Sequence, residues 1–332
     1  MKKPIPSDVW GDQAERSLAL RLQREALPEG GARGRAAAAA VPRRPREGGR
    51  GGDTAADLPR EAFARALASR GARLVQPQVF LELFSGHGGL SRALRERGFA
   101  VLEWDICRGP AWDLSARRAQ KLVRGWLLAG QVWGVFMGTP CQTWTRARDT
   151  GPLRELGQAG PQLPSRLRSD QHLMGLPEVT HPADVQAIRI GNVLAGFCCS
   201  IFELMHLLQR PVALENPARS RLWLLPRLKK AAAWSTSHFV YTDMCQWGTP
   251  WKKPTRILGD RVSLHSVARE CHGKLCSRTA KKHTSIHGLA QGGGFKTKAA
   301  QQYPPALCKA LARCLDHAHG SSKTIALTSL FV

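Results

Sequence analysis

The sequence predicts a doubly wound, Rossmann-like α/β sheet, and three features point there. From about residue 77 onward, apolar runs of strand length alternate with segments whose apolar residues recur at helical spacing. The first apolar run breaks into a glycine-rich turn just before a helical pattern begins, a form that lets backbone approach a ligand. Polar residues able to do chemistry follow later apolar runs, and an open parallel sheet binds its ligands at those carboxyl ends.

Each element follows from its own residues. "QVFLELF" is a short buried strand, "GLSRALRERG" a helix closed by Gly98, and "FAVLEWDI" a second strand. "SARRAQKLVRGWLLAG" has helical spacing, and "VWGVFMG" is the next strand. A loop rich in glycine and proline runs to about 183. The following long segment carries Val193, Leu194, Phe197, Ile201, Leu204, Met205 and Leu208 at helical spacing, and "PVALEN" is a strand. The predicted order along the chain is an arm over residues 1–76, a catalytic domain over 77–260, and a small basic insert over 261–299. A final helix over 300–320 packs back on the sheet, and a tail follows over 321–332.

Composition narrows the partner. The 332 residues carry a formal net charge of +24 with a pI near 10.6, which favours nucleic acid first and an anionic surface second. The arm, with "GARGRAAAAAVPRRPREGGRGGD" at its centre, has almost nothing to bury. It is expected to be largely disordered apart from short helices around 13–26 and 58–70, serving either as a linker or as a nucleic-acid-binding arm. No apolar run reaches the roughly 18 residues of a membrane span, so no membrane partner is expected. Nine scattered cysteines, an odd number, imply reduced thiols in an intracellular setting, the nucleus where there is one.

The strand ends carry the chemistry. "LELFSGHGGLSRAL" is a cofactor loop, although its spacing departs from the dinucleotide fingerprint because Ser91 stands where a third glycine belongs. A purely structural tight turn is the alternative. The next strand end offers Glu103, Trp104 and Asp105, carboxylates for ribose hydroxyls and a ring for a base, and "AWDLS" adds Asp113 as an acceptor. At "GTPCQTWT" a cysteine, Cys141, follows Pro140 directly, and at "ALENP" Glu215 leaves an apolar strand. Either residue alone is ordinary. Together, at adjacent strand ends beside a cofactor loop, they form a nucleophile and a proton donor facing one pocket.

In these segments, and in "QWGTPWKKPTRILG" and "AQQYPPALCKALA", the sequence resembles the DNA cytosine-5 methyltransferases from about Val79 to Asp316. The resemblance implies an S-adenosylmethionine-dependent methyltransferase fold with methylation of cytosine carbon 5 in DNA through a covalent cysteine adduct. Cys141 then attacks carbon 6 of a flipped base, and Glu215 protonates ring nitrogen 3. Phe84, Ser85, Gly86, Gly88, Gly89 and Leu90 surround the methionine part of the cofactor, with Pro140 beside it. Asp105 or Glu103 takes the ribose, and Asp113 takes the adenine amine. Lys253 and Arg256 are candidates for the contact to cytosine oxygen 2. The alternatives are the same chemistry on RNA and an inactive copy that only binds nucleic acid. The chain departs from the family pattern at Glu82, where aspartate is usual, at His87, and at Ala300 and Gln301 in place of a Gly-Asn pair.

The recognition region is short, about forty residues between Gly259 and Ala300, so a monomer gripping duplex DNA mainly through phosphate and reading few base pairs is expected. That segment holds Cys271, Cys276, His283 and His287 at C-x4-C-x6-H-x3-H spacing, a set able to fold around zinc or, alternatively, to meet solvent and phosphate.

Overall fold

A computed structural model describes residues 54–68, 78–149, 151, 164–286, 288 and 296–328. The expectations for residues 1–53 and for His287 fall outside the described residues.

Strand β1 (Val79–Leu83) pairs in parallel with β2 (Val101–Trp104) on one side and β3 (Val132–Gly138) on the other, and β3 pairs in parallel with β4 (Val212–Pro217). Two further strands, β5 (Ser237–Asp243) and β6 (Pro254–Asp260), complete the order β2-β1-β3-β4-β6-β5. Strand β6 runs antiparallel to both β4 and β5. The sheet is therefore Rossmann-like but mixed, with five strands running in one direction and β6 alone reversed. A wholly parallel sheet ending at β4, as the sequence predicts, is corrected.

The helices cover both faces. On one lie α3 (Arg117–Leu128) and α4 (Pro182–Leu207), which pack with Leu81, Leu83, Val135, Met137 and Leu214. On the other lie α2 (Gly89–Arg95) and α6 (Pro305–Thr328), which pack with Phe80, Phe136, Ala213 and Ile257. Alternation along each strand divides the residues between these layers. The same alternation turns Glu82 and Glu215 toward the α2/α6 side, a fact that governs the site.

Helix α1 (Thr54–Ala68) precedes the sheet, and its Phe63 stacks on Trp126 at 3.9 Å between ring centroids. This stretch, placed in the solvated arm by its low-complexity surroundings, thus contributes to the core. A short α5 (Pro226–Ala232) precedes β5. Helix α6 runs through residue 320 to Thr328. Among the described residues α4 has the length and hydropathy to cross a membrane, a property the search for an unbroken apolar run overlooks. Half of that stretch is buried inside the protein, against β3, β4, α3 and α5.

Candidate active site

The turn after β1 is shaped by its glycines and by one unusual residue. Phe84, Gly86 and Gly88 all adopt positive φ (59°, 52° and 64°). At Gly88 a second constraint applies, since a Cβ would stand 2.7 Å from the Glu103 carboxyl carbon. Glu103 itself is held in ion pairs by Arg95 and Arg108. It is therefore already neutralised and does not line the cleft described below.

Asp105, two residues on, does line that cleft. Its carboxylate accepts hydrogen bonds from the backbone N–H of Gly86 (2.8 Å) and Cys107 (2.9 Å). Asp113 accepts from the Ser115 N–H and hydroxyl, both at 2.8 Å. The helix start is occupied as well: buried Glu82 accepts from the Ser91 N–H at 2.8 Å and from its hydroxyl. The Ser91 N–H is thus met by the chain's own carboxyl group rather than left for a ligand. Burial raises the Glu82 pKa from an ordinary 4.5 to about 7, with the Ser91 hydrogen bonds opposing the rise.

The neighbouring strand ends bring the second group together. Pro140 and Cys141 follow β3, while Glu215 sits within β4 and is buried. The hydroxyl of Tyr303, just before α6, donates to Glu215 Oε2 at 2.8 Å. Glu215 Oε1 is buried with no hydrogen-bond partner among the described residues. The adjacent Asn216 amide donates to the Thr139 carbonyl at 2.7 Å, fixing the end of β4 to the turn that carries the thiol. Lys253 is held by a 2.7 Å bond from its ammonium to the Ala300 carbonyl.

Burial pushes the Cys141 thiol up; the Lys253 charge pulls it down, and Glu215 adds to the rise. Burial likewise raises Glu215, against the lowering effects of Lys253 and the Tyr303 hydroxyl. Tyr303 is raised well above its ordinary value, by burial first and then by Glu215. The set consists of a thiol and a carboxyl that both favour their neutral forms, with one cation near enough to favour both anions.

These groups share a single cleft of about 1110 Å³. Of the residues singled out from the sequence, Phe84, Ser85, Gly86, Gly89, Asp105, Asp113, Pro140, Cys141, Glu215 and Lys253 line it. Gly88 in the same turn abuts Glu103 instead, and Leu90 is fully buried in the core. Arg256 is also elsewhere. It pairs in register with Asn216, one residue out of phase with Glu215, and stacks its guanidinium over Phe239 at 3.4 Å on the opposite face of the sheet. Of the two candidates for the contact to cytosine oxygen 2, Lys253 lines the cleft and Arg256 does not.

Several contributors carry no motif in the sequence. Arg168, almost wholly buried, lies 3.8 Å from the Trp144 ring and donates to the Thr143 carbonyl (3.0 Å), the Thr143 hydroxyl (2.9 Å), Asn192 (2.6 Å) and the Ile188 carbonyl (3.2 Å). It ties the segment after Cys141 to α4. Arg221 makes a two-point bond to Asp149 (2.6 and 2.9 Å) and a third to Asp170 (3.0 Å), closing the same region from β4. A second cluster outside the cleft gathers Cys245, Cys271, Cys276 and His283. Of these, Cys245 was not among the expected ligands, because it precedes the insert in sequence.

No family model and no curated protein matches the chain. Among solved structures, the chain is similar to a triple mutant of Spodoptera frugiperda DNMT2 at 15% identity and a TM-score of 0.27, covering 55% of this chain. The match spans 50% of that protein's chain.

Proposed function

We propose that the chain is an S-adenosylmethionine-dependent methyltransferase that modifies carbon 5 of cytosine in DNA. The observation that carries this reading is the sharing of one cleft by Cys141 and Glu215 with the Ser85, Gly86 and Asp105 turn. The fit of the cofactor is supported by the chain's own atoms. Ser85 Oγ is buried without a partner among the described residues, Asp105 stands open to the cleft, and two glycines at positive φ keep the turn clear of side chains. Phe84, Ser85, Gly86, Asp105 and Asp113 would hold the group, and when bound it supplies an electrophilic methyl on a sulfonium.

The residues divide the remaining work. The Cys141 thiolate adds to cytosine carbon 6, breaking the ring's 5,6 double bond. Glu215, whose neutral form burial favours, donates in that form through its unpartnered Oε1 to ring nitrogen 3 and drains the charge that arrives from the sulfur. Lys253 offers the countercharge that the thiolate needs in a site shielded from water. Tyr303 holds the other carboxylate oxygen and fixes the direction in which Glu215 points. Once carbon 5 has gained its methyl group, its proton passes to water, the double bond re-forms and the thiolate is expelled, while ring nitrogen 3 returns its proton to Glu215.

The surplus of 24 positive charges suits a polyanionic substrate. The test is incubation of the full chain with methyl-labelled cofactor and either duplex DNA or RNA, alongside DNA containing 5-fluorocytosine. Label in DNA and a covalent protein–DNA adduct are expected. Label in RNA alone would transfer the chemistry to the other polymer, and absence of both label and adduct would leave a binding protein.

A further inference from the structure

Beyond the cleft, the short turn Met244–Trp247 after β5 brings Cys245 against Cys271, Cys276 and His283 of the insert, with one donor atom from each lying within 4.8 Å of the others. We infer that these four residues bind one structural zinc ion in a closed Cys3His site. The metal claim stands independently of the methyl-transfer reading. Its consequence for Lys253 rests on that reading.

Three observations carry it. The first is reach: zinc–sulfur bonds of about 2.3 Å at tetrahedral angles put ligand sulfurs about 3.8 Å apart, so a set already within 4.8 Å closes on the ion by small side-chain movements. The second is the lack of apolar packing around the sulfurs among the described residues. The three thiols, at 0, 2 and 4% exposure, form a buried cluster by themselves, with no aliphatic or aromatic residue in it. They are not joined by disulfides. A basic segment with so little apolar surface to bury depends on a staple, and metal binding is one that supplies folding free energy directly.

The third is the surroundings of the sulfurs. The Ser277 N–H donates to Cys271 Sγ at 3.3 Å, and the Gln246 amide lies 3.5 Å from Cys245 Sγ. Such donors suit thiolates that carry charge and orient ligands around a metal. Four protein ligands leave no open position, which makes the site structural. His283 fills the fourth place, 3.5 Å from Cys271 Sγ, so the inferred set dispenses with His287.

The staple has a direction. The Lys252 ammonium donates to the Cys271 carbonyl at 2.7 Å, the Met244 N–H to the Lys252 carbonyl at 2.8 Å, and the Thr284 N–H to the Pro250 carbonyl at 2.8 Å. The loop that delivers Lys253 to the cleft is thus clamped to the ligand-bearing segments. Loss of the ion should loosen the insert and that loop together.

The experiment uses the full chain expressed with zinc supplied. Elemental analysis should find about one zinc per chain, and cobalt(II) exchange should give the intense visible bands of a tetrahedral thiolate site. Alkylation mapped by mass spectrometry should spare Cys245, Cys271 and Cys276 until a chelator is added. Cys245→Ser should lower the metal content at least several-fold, whereas His287→Ala should leave it unchanged. If Cys245→Ser does not fold, the wild-type cobalt spectrum and alkylation pattern decide. Folded protein without metal, a metal content that survives Cys245→Ser but falls in His287→Ala, or unprotected thiols in the zinc-loaded chain would each overturn the inference.

Discussion

The wall of the cleft on β1 and β2 is built on a backbone turn from Phe84 to Gly89, with the Gly86 N–H held by the Asp105 carboxylate. The wall on β3, β4 and α6 consists of buried ionisable side chains, Cys141, Glu215 and Tyr303, with Lys253 beside them. Backbone hydrogen bonds respond little to pH and select a ligand by shape. Buried titratable groups respond strongly, because each has exchanged water for a few fixed neighbours. The first construction suits binding and the second suits bond making, so damage to the two walls should separate into effects on affinity and effects on rate.

The largest separation is expected at Cys141. Cys141→Ala should lower methyl transfer by on the order of 10⁵-fold, as for loss of a nucleophile, while cofactor affinity measured by calorimetry stays within about twofold. A mutant that still transfers methyl would break the division. Next comes Glu82, a buried ionisable group beneath the backbone wall. A carboxyl whose pKa rises on folding resists ionisation in the folded state. Stability should therefore fall as pH climbs from 4.5 to about 7, then level off. Glu82→Gln keeps an acceptor for Ser91 and removes the charge. Its denaturant midpoint should lose that pH dependence, with a gain on the order of 3 kcal/mol above neutrality.

Asp105→Ala should weaken S-adenosylmethionine binding by about 1–3 kcal/mol, or roughly ten- to a hundredfold in Kd. Glu103→Gln should change Kd little, because that carboxylate is engaged by Arg95 and Arg108. Equal losses at the two positions would erase the distinction between facing the cleft and facing away from it. The smallest effect is expected at Lys253. With its charge gone in Lys253→Met, the Cys141 pKa should rise further, and alkylation of that thiol near neutral pH should slow by roughly three- to tenfold. Mass-spectrometric rates at Cys141 would show it.

Legibility in the sequence follows the range of the interactions. The glycine turn, the thiol after Pro140 and Glu215 at a strand end are each set by immediate neighbours, and all were legible there. Strands β5 and β6 were not: β5 is only partly buried over its first half, and β6 begins with a proline and carries Arg256. Without β6 its parity was hidden too, and with it the placing of Arg256 on the face away from Glu215. Arg168 looked like one more basic residue in a basic chain, because its partners are mostly backbone carbonyls, which leave no trace in side-chain pattern. Cys245 was missed since the metal cluster crosses from β5 to the insert, a proximity produced by the fold alone.

The bond between Tyr303 and Glu215 spans 88 residues, and this sets an order of assembly during synthesis. All six strands leave the ribosome before Tyr303 does. A nascent chain that has already built its sheet still holds Cys141 and Glu215 without their covering residue, and Lys253 without the Ala300 carbonyl that anchors it. On the proposed reading, the wall assigned to bond making is therefore completed last, when α6 docks.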